Sequence, residues 1–588
     1  MTITQLMWRM LQPDSTCYQS IFSHLSLQDS NESFAAVQPR LMKALAHLHY
    51  KNHINLPILL LHSQENNNYL SWIASASKLF QHTEIALYGG NYRIIDNKIN
   101  LLPPNNSKDS FTSQGGIFYT NWIESEQLFG CVRQYKNALK LEPGLIHRAN
   151  GGTLILSLNI LLAQPLLWRR LRKCLEQGRF DWYTQEQNPP LPVFIPPLPL
   201  AVRLILCGDR NALASFEELN PEIYQIASYS EFEENLLILK DDDMRSWCRW
   251  ILAQIKLLHL PQPEINFWPK LINEAVRMTG NQKILPLCPC WLRRQIEDIM
   301  LDSSSNLLNA KTLTSAVNMR LWQESFLTDH MRNEILFKQI NIQTNGKVIG
   351  QINSLSTVDL RGHPRSWGEP SRITCVVYPG DGELIDVEHK AELSGNIHRK
   401  GVMIMKAYLI SELELDEPLP FSASLVFEQS YSEIDGDSAS LAELCVLISA
   451  LSNQPLDQQI AVTGSVDQFG NIQAVGGLNQ KIESFFDICN ARCLTGKQGV
   501  ILPANNANDL SLKEDVVNAV RTQRFFIWTI DRIEEALLLL TGIAWKNTQG
   551  KSLVDNIRKR IAQFQEQEKC YHAHHSRWLK WFNFIKLF

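Results

Sequence analysis

The sequence has no long hydrophobic run. Its most apolar segments, LPILLLH at 56–62 and AVRLILCG at 201–208, have the length of a buried strand and are far too short to span a membrane. The first residues, MTITQLMWRMLQPDS, have neither the basic start nor the small-residue cleavage site of a signal peptide. We therefore expect a cytoplasmic protein with no membrane partner.

The sequence also lacks a strong excess of one charge and lacks paired cysteines. Its net charge is -4, from 56 Lys and Arg against 60 Asp and Glu, which argues against a nucleic-acid partner. The 12 cysteines include no C-x-x-C pair, because the two close pairs, Cys288 with Cys290 and Cys489 with Cys493, have other spacings. We expect reduced and mostly buried thiols, and no metal site.

The 588 residues are too many for one hydrophobic core, so several domains are expected. Residues 1–240 alternate strand-like and helix-like segments, which predicts a parallel α/β domain. Residues 241–338 show helical spacing with no strand pattern and predict a helical subdomain. Residues 339–545 predict an α+β domain, and residues 546–588 form a basic, aromatic tail. Strands in the α+β domain are predicted at GKVIGQINSLSTVD, SRITCVVYPGDGELIDVE, GVMIMKAYLI and FSASLVFEQS.

A serine stands at the predicted start of an apolar helix, in EIDGDSASLAELCVLISAL at 433–451. Ser438 has a simple structural interpretation, because Ser, Asp and Gly are favoured helix N-cap residues. As a nucleophile it would need a base. The helix N-terminus would supply positive potential and backbone N–H groups for a developing oxyanion.

A lysine with a distinctive setting follows downstream, in AVGGLNQKIES. Two glycines predict a tight turn, and a helix then carries Lys481. A lysine amine is normally protonated, with a reference pKa of about 10.4, and it becomes a base only where burial or nearby positive charge lowers that value. Most helical lysines are simply solvated, so the residues alone leave both alternatives open.

Residues 340–542 resemble the proteolytic domain of the Lon protease family, which uses a Ser–Lys dyad. The B-type serine motif G-D-S-A-S is present at 436–440, and the lysine motif of two glycines and Leu-x-x-Lys is present at 476–481. The flanking segments WGEPSRITCVVYPGDGELIDVEHKAELSGNIHRKGVMIM and AVTGSV resemble the family too. The resemblance implies a serine endopeptidase with Ser438 as nucleophile and Lys481 as general base.

Three supporting residues follow from the same resemblance. It implies that Asp435 shapes the site, that Thr463 hydrogen-bonds near the lysine amine, and that Glu388 lies close to the site. The residue types alone also allow structural roles. Asp435 could cap a helix, Thr463 could be an ordinary strand residue, and Glu388 could pair with a surface cation.

Residues 1–335 resemble the AAA+ ATPase module that Lon proteases carry, with residues 241–335 as its lid. A phosphate-binding G-x-x-x-x-G-K-[ST] loop is absent from the whole sequence, and the expected position, after LPILLL, is HSQENNNYLS. The two acidic residues expected at the end of the Walker B strand are Ser157 and Leu158. We expect no ATP hydrolysis and no required cofactor, with nucleotide binding left open.

The resemblance implies peptides or unfolded proteins as substrates and a homo-oligomer, a hexamer in the family. The alternative is a catalytically silent assembly or adaptor protein, because one module has lost its chemistry. A third hypothesis, nucleic-acid binding by the basic tail at 570–588, has little support because the tail is short and the chain is slightly acidic.

Overall fold

The structure is a computed structural model, and no helix in its described part is long and apolar enough to cross a membrane. The tail segment 567–588, where nucleic-acid binding was considered, lies outside the described residues. The described residues are 3–30, 33–50, 56–81, 86–95, 98–135, 138–182, 193–302, 307–380, 382–414, 421–430, 434–547 and 551–566.

A five-stranded parallel sheet organises the first part of the chain, as its strand–helix alternation predicts. Its three central strands are almost wholly apolar because helices cover both faces, whereas the edge strand Ser228–Glu231 has the sequence SYSE. In spatial order they are Ser228–Glu231, Ile58–His62, Arg203–Gly208, Thr153–Ser157 and Ile117–Thr120. The α-helices are Gln19–His24, Ser33–Val37, Pro39–Leu48, Asn67–Lys78, Ser125–Phe129, Leu145–Arg148, Leu158–Ala163, Pro165–Gln177, Arg210–Leu219 and Ile223–Ile226. Antiparallel pairs join Tyr88–Gly89 to Thr112–Ser113, Asn91–Ile95 to Lys98–Leu102, Cys131–Tyr135 to Ala138–Glu142, and Arg179–Phe180 to Leu198–Pro199.

A helical region follows, as expected. Its helices are Asp241–Leu257, Phe267–Thr279, Pro289–Asp302, Ala310–Glu324 and Phe326–Leu336. The expectation that no strand interrupts it is wrong, because Ile284–Pro286 pairs antiparallel with Asn235–Leu237. A three-residue strand is too short to carry the two-residue period by which strands are recognised.

An eight-stranded mixed sheet organises the last part of the chain. In spatial order its strands are Thr4–Gln5, Phe525–Ile530, Gln498–Pro503, Ile460–Val462, Gln351–Val358, Trp367–Tyr378, Ser422–Glu428 and Leu384–Asp386. The α-helices around it are Val387–Lys390, Asn396–Leu413, Ser440–Ser452, Leu478–Ala491, Glu514–Arg521 and Ile533–Thr541. Short pairs join Lys347–Val348 to Leu456–Asp457 and Ser465–Val466 to Ile472–Gln473, and 3-10 helices span Trp8–Met10, Thr16–Tyr18, Leu27–Ser30 and Ala504–Asp509.

The strand predicted at GVMIMKAYLI is wrong, because the segment lies within a helix, Asn396–Leu413, here called the histidine helix. Its β-branched residues favoured a strand. The buried positions instead recur every three or four residues, the spacing of a helix that packs one face on a core. They are His398, Gly401, Val402, Met405, Tyr408, Leu409 and Leu413.

Two further helices position the candidate site. Ser440–Ser452, the serine helix, is buried along nearly its whole length. Leu478–Ala491, the lysine helix, starts after Gly477, whose φ is +70°, and a Cβ atom there would lie 2.3 Å from Thr357 Cγ2. Only glycine combines this left-handed conformation with so close an approach. The glycine therefore fixes where the lysine helix starts.

Candidate active site

Ser438 lies in the turn before the serine helix and is half-buried. The helix begins two residues later at Ser440, with Ala439 at the N-cap and no side-chain cap hydrogen bond. Ser438 is therefore not the cap of this helix, which was the structural interpretation of its position. Within the described part of the chain, its hydroxyl has no hydrogen-bond partner.

The backbone carbonyl oxygen of Ser438 is hydrogen-bonded, whereas its N–H group has no acceptor in the part of the chain that the structure describes. Its carbonyl oxygen accepts from Gly464 N at 2.9 Å and lies 3.3 Å from Thr463 Oγ1. The N–H groups of Ser438 and Ala439 have no acceptor among the described residues. Such free N–H groups at a helix start are the donors that an oxyanion needs.

Lys481 lies in the first turn of the lysine helix and is only 2% exposed. Its Nζ donates to Thr463 Oγ1 at 3.2 Å, which is the only hydrogen bond of this amine to a described residue. Burial lowers the pKa of the amine to about 8, against the opposing effect of the Asp437 carboxylate. The amine therefore has a substantial neutral fraction near neutral pH.

Thr463 connects the two candidate residues. It is fully buried and follows the strand Ile460–Val462. Its hydroxyl accepts from Lys481 Nζ and has one proton to donate, either to Ser438 O at 3.3 Å or to Leu355 O at 3.4 Å. The structure thus brings Ser438, Thr463 and Lys481 together. No direct hydrogen bond joins Lys481 Nζ to Ser438 Oγ among these described atoms.

Asp435 is exposed and caps a different helix from the one expected. Its Oδ1 accepts from Ile397 N at 3.2 Å and from Gly436 N at 3.0 Å. Ile397 is the second residue of the histidine helix, so Asp435 caps that helix and not the serine helix. It thereby fixes the segment that leads into Ser438.

Glu388 is buried, so its pairing with a surface cation, one of the two alternatives, is wrong. Its Oε1 accepts from Phe427 N at 2.8 Å. Burial raises the pKa of its carboxyl group, and the nearby Asp386 acts in the same direction. Its partners among the described residues are therefore a strand backbone and buried ionisable groups, not Lys481.

Comparison with known proteins decides the family. Residues 117–229 match the LonB-like AAA domain, and residues 431–542 match the Lon protease (S16) C-terminal proteolytic domain. A Lon protease homologue of Escherichia coli (strain K12) is 48% identical over 584 residues, which are 99% of this chain and 100% of that protein. The chain belongs to the Lon protease family. The resemblance drawn from its motifs is confirmed, and so is the enzyme class, a Lon-type serine peptidase.

Other members of the Lon family match less closely. A Lon protease homologue of Haemophilus influenzae (strain ATCC 51907 / DSM 11121 / KW20 / Rd) is 39% identical over 91% of this chain and 89% of its own length. An archaeal Lon protease of Thermoplasma acidophilum is 25% identical over 65% of this chain and 57% of its own length. The two bacterial homologues thus match most of the chain, whereas the archaeal protein matches about two thirds of it.

A group of buried ionisable residues lies beside the serine helix of this Lon-family chain, and only its member Glu388 was identified from the sequence. This histidine cluster consists of Asp386, Glu388, His398 and Glu443, all less than 10% exposed. His398 Nε2 lies 3.3 Å from Asp386 Oδ2 and 3.5 Å from Glu443 Oε1. The one signal for it was Glu443, a lone carboxylate within the apolar run LAELCVLISAL.

The histidine cluster carries charge at neutral pH. Burial works against a charged His398, but Asp386 and Glu443, helped by Glu388, raise its pKa to about 9. Burial raises the pKa of Glu443 to about 7, although His398 acts in the opposite direction. A cationic His398 therefore links the strand end at Asp386 to the first turns of the serine helix.

Side chains of this chain bond to the helix start where the family resemblance leads us to expect a nucleotide site. Asn66 Oδ1 accepts from Asn68 N at 3.1 Å and from Tyr69 N at 3.3 Å, and so caps the helix Asn67–Lys78. These are the backbone amides that a phosphate group at this helix start would use. The cap therefore competes with a phosphate for the same donors.

A carboxylate occupies the neighbouring position. Glu65 Oε2 accepts from the Ser157 hydroxyl and, at 3.1 Å, from Asn159 N, in the first turn of Leu158–Ala163. The Glu65 side chain thus lies at the end of the strand Thr153–Ser157, where the resemblance leads us to expect the Walker B acidic residues. No group of three or more His, Cys, Asp or Glu in the described ranges could hold a metal ion.

The histidine cluster predicts a pH-dependent contribution to stability. In His398→Gln, Asp386 and Glu443 lose their buried cation, so the free energy of unfolding at pH 7 should fall by about 3 kcal/mol. Because the pKa of His398 is higher in the folded chain than in the unfolded chain, its ion pairs stabilise the fold at any pH below the unfolded pKa. This stabilisation is lost as pH rises through about 9. Urea unfolding at pH 7 and pH 10 measures the difference, which should shrink at pH 10.

A matched control is His389→Gln, the same change at an exposed histidine nearby, which should alter stability little. The double variant His398→Gln, Glu443→Gln should recover part of the loss, because it removes an unpaired carboxylate. An equal loss at both pH values would contradict the charged bridge.

Proposed function

We propose that this chain is a serine endopeptidase that cleaves peptides or already unfolded proteins in the cytoplasm, with Ser438 as nucleophile and Lys481 as general base. The observation that carries the proposal is the amine of Lys481, which is 2% exposed, has a pKa lowered to about 8 by burial, and is joined to the Ser438 backbone through one threonine. A lysine in this state can accept a proton, which a solvated lysine at neutral pH cannot.

The reaction would proceed in two halves. Ser438 Oγ attacks the peptide carbonyl carbon while its proton passes to Lys481 Nζ, and the N–H groups of Ser438 and Ala439 stabilise the oxyanion. The C–N bond breaks, the departing amine takes the proton from Lys481, and an acyl ester on Ser438 remains. Water, deprotonated by Lys481, then cleaves the ester and restores the serine.

One observation favours the second candidate function, a catalytically silent assembly protein. Lys481 Nζ is hydrogen-bonded to Thr463 and not to the Ser438 hydroxyl. The peptidase hypothesis therefore requires a side-chain rotation that brings Oγ to Nζ. Such tightening on substrate binding is common, because unliganded catalytic contacts are often long or poorly aligned.

Covalent labelling distinguishes the two candidates. A fluorophosphonate probe should label the wild-type chain at one serine, and labelling should vanish in Ser438→Ala. In Lys481→Ala the rate should fall by roughly a hundredfold to ten-thousandfold, because the base is lost. Intact-mass spectrometry with time measures the rate.

The control Lys497→Ala removes an exposed lysine and should label like the wild type. A folded wild-type chain that takes up no probe would refute the peptidase and favour the silent assembly protein.

The lowered pKa of Lys481 gives a pH dependence. Because the base must be neutral, kcat/KM for a peptide substrate should rise as pH increases through about 8 and level off above it. Hydrolysis of an unfolded-protein substrate such as casein should show the same rise in rate through pH 8. A rate that is flat between pH 6 and pH 9 would rule out Lys481 as the titrating base.

We further propose that the peptidase works without ATP hydrolysis and without bound nucleotide. The support is the absent phosphate-binding sequence together with Asn66 and Glu65, which engage the amides and the hydroxyl of the nucleotide position. By resemblance to the Lon family, we propose a homo-oligomeric ring, a hexamer, as the assembly.

Nucleotide should therefore change neither rate nor stability. Peptide and casein hydrolysis are compared with and without Mg-ATP, and the thermal midpoint is measured alongside. We expect equal rates and a shift of the midpoint near zero, since a ligand that does not bind cannot stabilise the folded state. Hydrolysis that strictly requires ATP would contradict this part of the proposal.

A further inference from the structure

A buried ion pair joins the helical lid to the lysine helix. Arg277, in the lid helix Phe267–Thr279, directs Nη1 to Glu483 Oε1 at 2.6 Å and Nη2 to Glu483 Oε2 at 3.0 Å. The arginine side chain is 19% exposed and the glutamate 6%. This two-bond geometry fixes direction as well as distance. The lid is therefore bonded directly to the helix that carries Lys481.

The loop 508–513 reinforces this contact from the side. Arg277 Nη1 also donates to Ser511 O at 2.7 Å, and Ser511 Oγ donates to Asn273 O of the lid helix at 2.9 Å. Ser511 N in turn donates to Asn479 Oδ1, in the lysine helix, at 2.8 Å. The lid helix, the loop and the start of the lysine helix thus form one connected hydrogen-bonded network.

Helix geometry places this network opposite the lysine amine. Successive helical residues are rotated by about 100°, so Asn479 and Glu483, four apart, share a face. Lys481 is two residues from each and projects to nearly the other side, where it meets Thr463. A rotation of the lysine helix about its axis would therefore carry Nζ away from Thr463.

Lys513 of the loop 508–513 also contacts Glu483, through its backbone N–H at 2.9 Å from Oε1 and through Nζ at 3.6 Å from Oε2. A cavity of about 540 Å³ lies between the lid and the lysine helix, and Arg277 and Glu483 both line it. Among the described residues, a small buried apolar group, Ile335, Ile342 and Ile488, packs at the far end of the lysine helix. Of the described residues that pair with Glu483, Arg277 comes from the lid helix and Lys513 from the loop.

We propose that Arg277 is a positioning residue for the peptidase site, and that the lid holds Lys481 against Thr463 through the Arg277–Glu483 pair. This inference rests on the proposed function of Lys481 as base. It gives the AAA-like module a role that needs no nucleotide: the lid sets the rotation of the lysine helix from outside the proteolytic domain.

The test compares three full-length variants. Arg277→Met removes the charge and both bonds, and kcat should fall roughly tenfold to a hundredfold with little change in KM. Arg277→Lys keeps the charge but cannot form both hydrogen bonds to Glu483 at once, so its kcat should fall less than that of Arg277→Met. Lys270→Met is the control, because the ion pair of Lys270 with Glu274 stays within the lid helix, and its kcat should not change.

Two readouts separate positioning from simple support of the fold. In Arg277→Met the acid limb, which is the rise of kcat/KM with pH, should move above pH 8. The reason is that the Lys481 amine would lose its burial, and contact with water would raise its pKa. Amide hydrogen exchange in residues 478–491 should become faster than in Lys270→Met. A lower thermal midpoint with an unchanged acid limb would overturn the proposal.

The proposal and the function on which it rests fail differently. If the wild type neither hydrolyses peptide nor labels at Ser438, the proposed peptidase is wrong, and hydrogen exchange still decides whether Arg277 holds the lysine helix. If the wild type is active and Arg277→Met matches it in kcat, acid limb and exchange, the positioning role is wrong. Arg277→Lys supplies the same readouts should Arg277→Met fail to fold.

Discussion

The site depends on one physical constraint, the burial of a lysine amine with a single hydrogen-bond partner. Removing an ammonium group from water is costly unless the charge is paired or lost, and among the residues that the structure describes Lys481 has only the Thr463 hydroxyl as a hydrogen-bond partner. The protein keeps the amine buried because the rest of the lysine helix packs into a core, through residues such as Ile482 and Phe485. Apolar packing around the helix thus offsets the cost, and the lowered pKa is its chemical consequence.

Buried charges in and around the proteolytic domain fall into two kinds. His398 has carboxylates on both sides, and Arg277 has Glu483, so these groups stay charged and hold helices in place. Lys481 is buried, and no carboxylate in the described ranges is in hydrogen-bond contact with its amine. Buried charges that serve the fold are expected to have an ion-pair partner of opposite charge. A buried group with a perturbed pKa and no such partner is typical of a functional site. The contrast separates the residues that position the site from the one proposed to do proton transfer.

The sequence predicted the site better than its surroundings, for physical reasons. Ser438, Lys481 and Thr463 lie in short segments with distinctive turns, and local sequence encodes such turns. The histidine helix was predicted as a strand because a continuous apolar run hides its period. The carboxylate partners of His398 and the hydrogen bond from the histidine helix to Asp435 depend on tertiary packing. So does the contact between Arg277 and Glu483, which are 206 positions apart in the sequence. Contacts between distant segments leave no periodic signal in either segment, so the sequence could not predict them.

The central claim is that Lys481 is close to half neutral at pH 8 because it is buried. The most direct measurement is an NMR titration of the Lys481 side chain in the full chain, with ¹³C-labelled lysine and Lys481→Ala to assign the signal. The account predicts a titration midpoint near 8. A midpoint near the usual lysine value of about 10.4 would show a solvated ammonium group and contradict it.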